Sequence, residues 1–230
     1  PAAAQTARQG GSSMSREAVA NLRSLGYIGA SESDTAPPGS RGTTRTAGSY
    51  NNEGVILKER GKLPQAIESF EKALTVDPNL ASAQWNLSDV MYAMGQDLDR
   101  SDALLVRAFA GGMPDGAKTL IGRAIAYQRN GDAARSLRLM NAAVEANGRD
   151  AELWLFRGRY RMDANDCRGA VQDFDRAIAL APDNAAAFGA AGVAKICTGD
   201  RAGARQAFDR ALQIDPAQPK IREFLSTLDR

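Results

Sequence analysis

The strongest constraint on this chain is a period. Between Ala151 and Pro216 the sequence repeats at a spacing of about 34 residues, a length typical of two-helix repeats. The string AVQDFDRAIALAPDNA (Ala170 to Ala185) returns one period later as ARQAFDRALQIDPAQP (Ala204 to Pro219). Gly158 maps onto Gly192, Ala170 onto Ala204, Phe174 onto Phe208, Ala177 onto Ala211 and Pro182 onto Pro216. Small and aromatic residues recurring at helical spacings within such a period specify an all-α chain of helix-turn-helix units. No single unit can bury its apolar side alone, so neighbouring units stack to make a continuous core. A surface built this way is expected to bind rather than catalyse.

Two earlier copies follow the same frame. Tyr50, Gly54, Gly61, Ala66, Phe70, Ala73 and Pro78 make one, and a more divergent copy runs from Ala117 through Ala124, Tyr127, Gly131, Ser136, Met140 and Ala143 to Gly148. Between them NLASAQWNLSDVMYAMG opens a further copy whose second helix, Arg100 to Ala110, matches only with a residue inserted. The turn residues record the irregularity. Gly61 to Gly95 is one full period and so is Gly131 to Asn165, but the interval from Gly95 to Gly131 is longer by two. These residues resemble the tetratricopeptide repeat (TPR), with its aromatic near the start, small residues within the helices and proline at the end. The resemblance covers five repeats, about Ala47 to Gln218. Other helical repeats of this size lack the Pro-Asn or Pro-Asp step after the second helix.

The pattern has a direct physical reading. Gly158 and Gly192 on first helices, with Ala170, Ala177, Ala204 and Ala211 on second helices, remove bulk where antiparallel helices must lie close. Phe70, Phe174 and Phe208 are expected to fill the gap between one repeat and the next. Pro78, Pro182 and Pro216 stop the second helices, because proline lacks an N–H and clashes with the preceding turn. The last segment predicts a capping helix at about 219–229. There Ile221, Phe224, Leu225 and Leu228 face the final repeat, while Lys220, Arg222, Glu223 and Asp229 face water. The domain organisation expected is a segment of residues 1–46 followed by one solenoid over 47–230.

Charge narrows the function classes. The first fifty residues hold five arginines against Glu17, Glu32 and Asp34, which leaves 24 basic against 24 acidic side chains from totals of 29 and 27. Without a basic block to displace counterions, nucleic acid is not expected as a partner. No apolar run is long enough to span a bilayer, so membrane insertion is not expected either. Histidine is absent, which removes Ser-His and Cys-His nucleophile pairs and His-ligated metal sites. Gly10-Gly11 and Gly111-Gly112 lack the lysine and hydroxyl of a phosphate loop. The acidic and basic residues that recur as DFDRA and AFDRA, Asp173, Asp175 and Arg176 among them, read as a solvated helix face. No catalytic residue, cofactor or metal site is expected in this chain.

The N-terminal segment obeys different rules. Pro1 to Ser13 is rich in Ala, Gln, Gly and Ser, and starts without an initiator methionine, as if cut from a longer product. Ser15 to Leu25 predicts a short amphipathic helix with Ala18, Val19, Leu22 and Leu25 on one side. Tyr27 to Gly48 predicts a flexible linker. The string LRSLGYIGAS (Leu22 to Ser31) is similar to the stretch that closes the catalytic domain in bacterial sulfatase-like hydrolases, ahead of appended TPRs. That resemblance implies a metal-dependent parent with this chain as its non-catalytic tail, in the periplasm or outside the cytoplasm. A docking helix on the first repeat, in a free-standing cytoplasmic adaptor, is the alternative.

The partner-binding surface implied by the TPR frame is the concave face made by first helices. It comprises Asn51 and Val55 with Lys58; Trp85, Asn86, Asp89 and Tyr92; Lys118 and Ile125; and Glu152, Phe156 and Arg159. A protein or peptide is the expected partner, with Trp85, Tyr92 and Phe156 as exposed anchors. The clamp that grips chaperone tails needs Lys and Asn where Asn51 and Val55 stand, so that specificity is not expected. Cys167 and Cys197 are not spaced as a metal site. Two unpaired, buried thiols are the expectation, and a disulfide, which needs an oxidising compartment, is the alternative.

Overall fold

A computed structural model describes residues 45–228. The expected helix at 15–25, the linker before residue 45 and the sulfatase-like string all lie outside the described residues. Within them the chain is all-α, with eleven helices and no strand. In order these are α1 (Ala47–Glu59), α2 (Leu63–Val76), α3 (Ala81–Ala93), α4 (Leu98–Ala110), α5 (Gly116–Arg129) and α6 (Ala133–Ala146). They continue as α7 (Ala151–Asp163), α8 (Cys167–Leu180), α9 (Ala185–Cys197), α10 (Arg201–Ile214) and α11 (Pro219–Leu228). Two compact units divide them: the first ends at Gln96, the second begins at Asp97. The division falls inside the irregular second repeat, which places α3 in one unit and α4 in the other.

Helix boundaries follow local chemistry that repeats with the sequence. Asp132, Asp166 and Asp200, spaced one period apart, cap α6, α8 and α10 by accepting from the backbone N–H of Arg135, Gly169 and Gly203. Thr46, Asp97, Asp150 and Asn184 do the same for α1, α4, α7 and α9. Such caps satisfy N–H groups that the first helical turn cannot. The turn that follows each first helix passes through a left-handed residue: Gly61, Gly95, Gly131 and Gly199, with Asn165 at φ 66° in the fourth copy. Asparagine tolerates that conformation better than most residues, which explains its place in an otherwise glycine series. Pro78, Pro182 and Pro216 each lie two residues beyond the end of their helix, as expected.

The aromatic positions do more than bridge repeats. Phe70, Phe174 and Phe208 are essentially inaccessible, and each ring packs against the glycine of its own hairpin. A Cβ built on Gly54, Gly158 or Gly192 would stand 2.4, 2.5 or 2.4 Å from the ring of Phe70, Phe174 or Phe208. The glycine thus makes room for a ring rather than for a neighbouring backbone. Phe174 also joins Ala187, Ala191 and Ala194 of the following helix in one core cluster, so the ring serves both interfaces. Gly192→Ala is therefore expected to lose about 1–3 kcal/mol through overpacking, measurable as a lowered urea midpoint. An unchanged midpoint would show that Phe208 has space to retreat.

The last described helix packs on the final repeat as expected. Ile221 of α11 is buried with Ala204, Phe208 and Ala211, and Leu225 and Leu228 pack on the same cluster. Phe224 remains 36 % exposed, yet its ring stacks on Phe208 with centroids 5.4 Å apart.

Two expectations are corrected. Asp173 is not on a solvated face: it is 1 % exposed and receives a two-pronged salt bridge from Arg157, with Nε and Nη2 at 2.9 and 2.7 Å. Asn141 accepts a further hydrogen bond from Arg157 at 3.1 Å, and Arg161 reaches Asp173 at 3.1 Å. Asp175 and Arg176 are exposed, as expected. The cysteines are paired, since Cys167 and Cys197 form a disulfide with Cα atoms 6.0 Å apart. Cys167 opens α8 and Cys197 closes α9, and hairpin stacking lays those two ends side by side. Cys167 is buried but Cys197 is exposed, so the picture of two buried thiols fails on both counts.

Candidate functional site

In the first unit, α1 and α3 are first helices of successive repeats and lie alongside each other. Between them runs a groove of about 450 Å³, lined by Asn51, Asn52, Val55, Ile56 and Glu59 from α1 and Ser82 and Asn86 from α3. Two side-chain bridges fix the spacing of its walls. The Asn86 amide donates to Asn51 Oδ1 at 3.0 Å, and Lys58 donates to Asp89 in a salt bridge. One hydrogen bond between two carboxamides uses one donor and one acceptor. The Asn51 N–H groups and the Asn86 carbonyl remain without a partner among the described residues. Their chemistry is that of a peptide backbone, which offers a C=O and an N–H in return.

The groove also has apolar and charged elements. Ile56 is 47 % exposed, one of the few large apolar side chains so open to solvent, and it stands beside the half-buried Val55. Glu59 has no partner among the described residues, whereas Lys58 is neutralised by Asp89. The free charge in the groove is therefore negative. Ser82 adds a hydroxyl oxygen that is buried without a hydrogen-bond partner.

The structure brings Asn51, Val55 and Asn86 of the sequence-predicted set into one groove, with Asp89 bridged to its rim. Trp85 and Tyr92, expected as exposed anchors, are half-buried on α3. In the second unit Lys118 and Ile125 sit on α5, and Glu152, Phe156 and Arg159 on α7, two helices that also touch. Lys118, Glu152 and Arg159 are exposed, while Ile125 and Phe156 are half-buried. Sequence reading missed Asn52, Ile56, Glu59 and Ser82. Ile56 carried a signal, being apolar one residue beyond a predicted groove position, whereas the free state of Glu59 depends on where its neighbours' charges go.

The irregular repeat hides a polar cluster in the second unit. Arg123 is buried and donates to Ser101 Oγ at 3.0 Å, with Asp102 Oδ1 at 3.4 Å. Tyr127 donates to Asp102 Oδ1 at 2.8 Å, and Arg135 reaches Asp99 and Asp102 at 2.8 and 3.4 Å. Burial pushes the Asp102 carboxyl above its ordinary range, against the opposing pull of the Tyr127 hydrogen bond and the Arg123 charge. Burial and the adjacent carboxylate push the Tyr127 phenol up as well. Arg123 and Arg157 stand one period apart and both are buried, so the same repeat position carries a guanidinium that is neutralised differently in each copy. Among the described residues no helix is long and apolar enough to cross a membrane, and no acidic or cysteine cluster could hold a metal ion.

Comparison with known families agrees with this architecture. A TPR repeat model matches residues 54–95, and a tetratricopeptide repeat model matches residues 157–219. The chain carries tetratricopeptide repeats. Among curated proteins it is similar to the human (Homo sapiens) Protein O-mannosyl-transferase TMTC1, at 25 % identity over 183 residues. That alignment covers 77 % of this chain but 20 % of the relative, so the chain spans about one fifth of the length of the curated protein it matches. Among solved structures it is similar to YrrB, described as a TPR protein with an unusual peptide-binding site, at 21 % identity and a TM-score of 0.49. That match covers 77 % of this chain and 91 % of the other. It is also similar to the second TPR domain of human RPAP3 in complex with an HSP70 peptide, at 23 % identity and a TM-score of 0.47, over 50 % of this chain and 95 % of that one.

Proposed function

We propose that the chain is a non-catalytic protein-interaction module whose TPRs hold an extended peptide segment between α1 and α3. The observation that carries this reading is the Asn51–Asn86 pair, whose unused amide donor and acceptor lie in a groove beside Val55 and Ile56. A peptide backbone satisfies both amide groups, and one apolar peptide side chain covers Ile56. With Lys58 tied to Asp89 and Glu59 unpaired, the segment is neutral or basic at that point rather than an acidic tail. Trp85 and Tyr92 border the same helix, and Lys118, Ile125, Glu152, Phe156 and Arg159 offer further first-helix contacts in the second unit.

Selection of random peptides displayed on phage tests the reading. Peptides enriched on the wild-type protein are expected to lose binding by about tenfold or more on Val55→Asp with Ile56→Asp, which plants charge under a desolvated contact. Both positions are at least partly exposed, so the thermal midpoint is expected to hold. Failure to enrich any peptide, or equal binding to the variant, would sink the assignment. These substitutions are preferred to Trp85→Ala with Phe156→Ala, because truncating half-buried aromatics also weakens packing.

A second reading makes the module an appendage that positions substrate for, or regulates, a larger enzyme. It is favoured by the similarity to one fifth of a transferase, and the LRSLGYIGAS string is its sulfatase-like form. The residues encoded upstream of Pro1 separate the two: an alkaline-phosphatase-like domain there supports the appendage, and an independent start at Met14 supports a free adaptor.

A further inference from the structure

The extra residues in the irregular repeat change how second helices pack. In the second unit α4 and α6, second helices of successive repeats, lie directly against each other, more closely than α6 and α8 or α8 and α10 do. The seam between α4 and α6 opens into a groove of about 370 Å³. Its floor is apolar, made by Ala103 and Val106 of α4 with Leu139 and Ala142 of α6. On each helix the lining residues recur every three or four positions, so the groove follows the helix axes.

Charge along this groove is uneven. At one end Asp99 and Asp102 are held by Arg135, and Asp102 also accepts from Tyr127. That end is closed by its own pairing. Arg107 and Arg138, the other charged lining residues, are exposed and have no ion pair or hydrogen bond among the described residues. Two unneutralised guanidinium groups flank an apolar floor in which Ala103 is exposed, Val106 and Ala142 are half-buried and Leu139 is buried.

From this we infer a second binding surface, distinct from the first-helix groove: the α4–α6 seam takes an acidic amphipathic peptide, laying aliphatic side chains on Val106, Leu139 and Ala142 and carboxylates against Arg107 and Arg138. Guanidinium groups pair with carboxylates through two parallel hydrogen bonds, which selects an acidic partner over a neutral one. Aliphatic side chains at helical spacing match the two rows of the floor. A basic amphipathic peptide of the same shape meets repulsion at both arginines and is excluded.

A synthetic amphipathic peptide of leucine and glutamate, and its leucine–lysine counterpart, serve as probes in fluorescence titrations with the full chain. The glutamate peptide is expected to bind, more weakly as salt rises, and the lysine peptide not to bind. Arg107→Glu with Arg138→Glu is expected to weaken the glutamate peptide by about tenfold or more and to admit the lysine peptide. Both arginines are exposed and unpaired, so circular dichroism should show the variant folded. Val55→Asp with Ile56→Asp should leave this binding unchanged, which separates the seam from the first-helix groove. The inference is overturned if the glutamate peptide does not bind, if the arginine variant binds it as well as wild type, or if the Val55 and Ile56 changes abolish it.

Discussion

Asp173→Ala is expected to remove about 3–5 kcal/mol of stability, the usual cost of leaving one member of a buried ion pair uncompensated. The reason lies in how completely the pair is enclosed. Asp173 is 1 % exposed and meets two nitrogens of Arg157 and one of Arg161. Without the carboxylate, Arg157 keeps Asn141 and the face of the Trp154 ring, 4.8 Å from its guanidinium carbon. Neither replaces the lost negative charge. For a unit of this size the loss corresponds to a fall of roughly 10 °C in melting temperature. Thermal denaturation followed by circular dichroism measures it. Arg157→Leu with Asp173→Leu should recover most of the loss, because apolar replacement of a buried pair is often neutral. A single-variant loss below about 1 kcal/mol would mean that water already reaches the pair.

Reduction of the Cys167–Cys197 disulfide is the second large effect. The bond closes a 30-residue loop, and loop-closure entropy assigns it about 3–4 kcal/mol through restriction of the unfolded chain. A phosphine reductant should therefore lower the urea midpoint of the wild-type chain while leaving a Cys167→Ser, Cys197→Ser variant unmoved. Thiol titration in denaturant should find no free thiol before reduction and two afterwards. Two thiols before reduction would remove the bond and its stabilisation together. Because Cys197 is exposed, the reductant reaches the bond in the folded protein.

Residue type and periodicity disagree at Asp173, and the structure follows periodicity. Its place in a charged string points it to water, yet it sits at the second position of the series Ala170, Asp173, Phe174, Ala177, whose other members are all core. Its counterparts Ser69, Leu139 and Ala207 are buried too. Arg157 carries the matching signal, lying beside Gly158 on the face turned to the second helix. The cysteines give less warning. The repeat frame places Cys167 near the turn of the fourth repeat and Cys197 late in the first helix of the fifth, regions that neighbour each other in a stack, but the bond itself came only from the structure.

The sequence by itself determined the repeat, the helices of the described residues, their turns and the burial of Phe70, Phe174 and Phe208, because each follows from contacts within one period, whereas the half-burial of Trp85, Tyr92 and Phe156 came only from the structure. It also named Asn51, Val55 and Asn86 for the groove, since a repeat frame fixes which helix face a position occupies. Tertiary structure alone decided which charges are spent and which are free. Lys58 is neutralised by Asp89 and Arg157 by Asp173, while Glu59, Arg107 and Arg138 have no ion pair among the described residues. Such pairing between helices depends on how hairpins are stacked, and α4 and α6 lie closer than other successive second helices in the stretch that holds the two extra residues between Gly95 and Gly131.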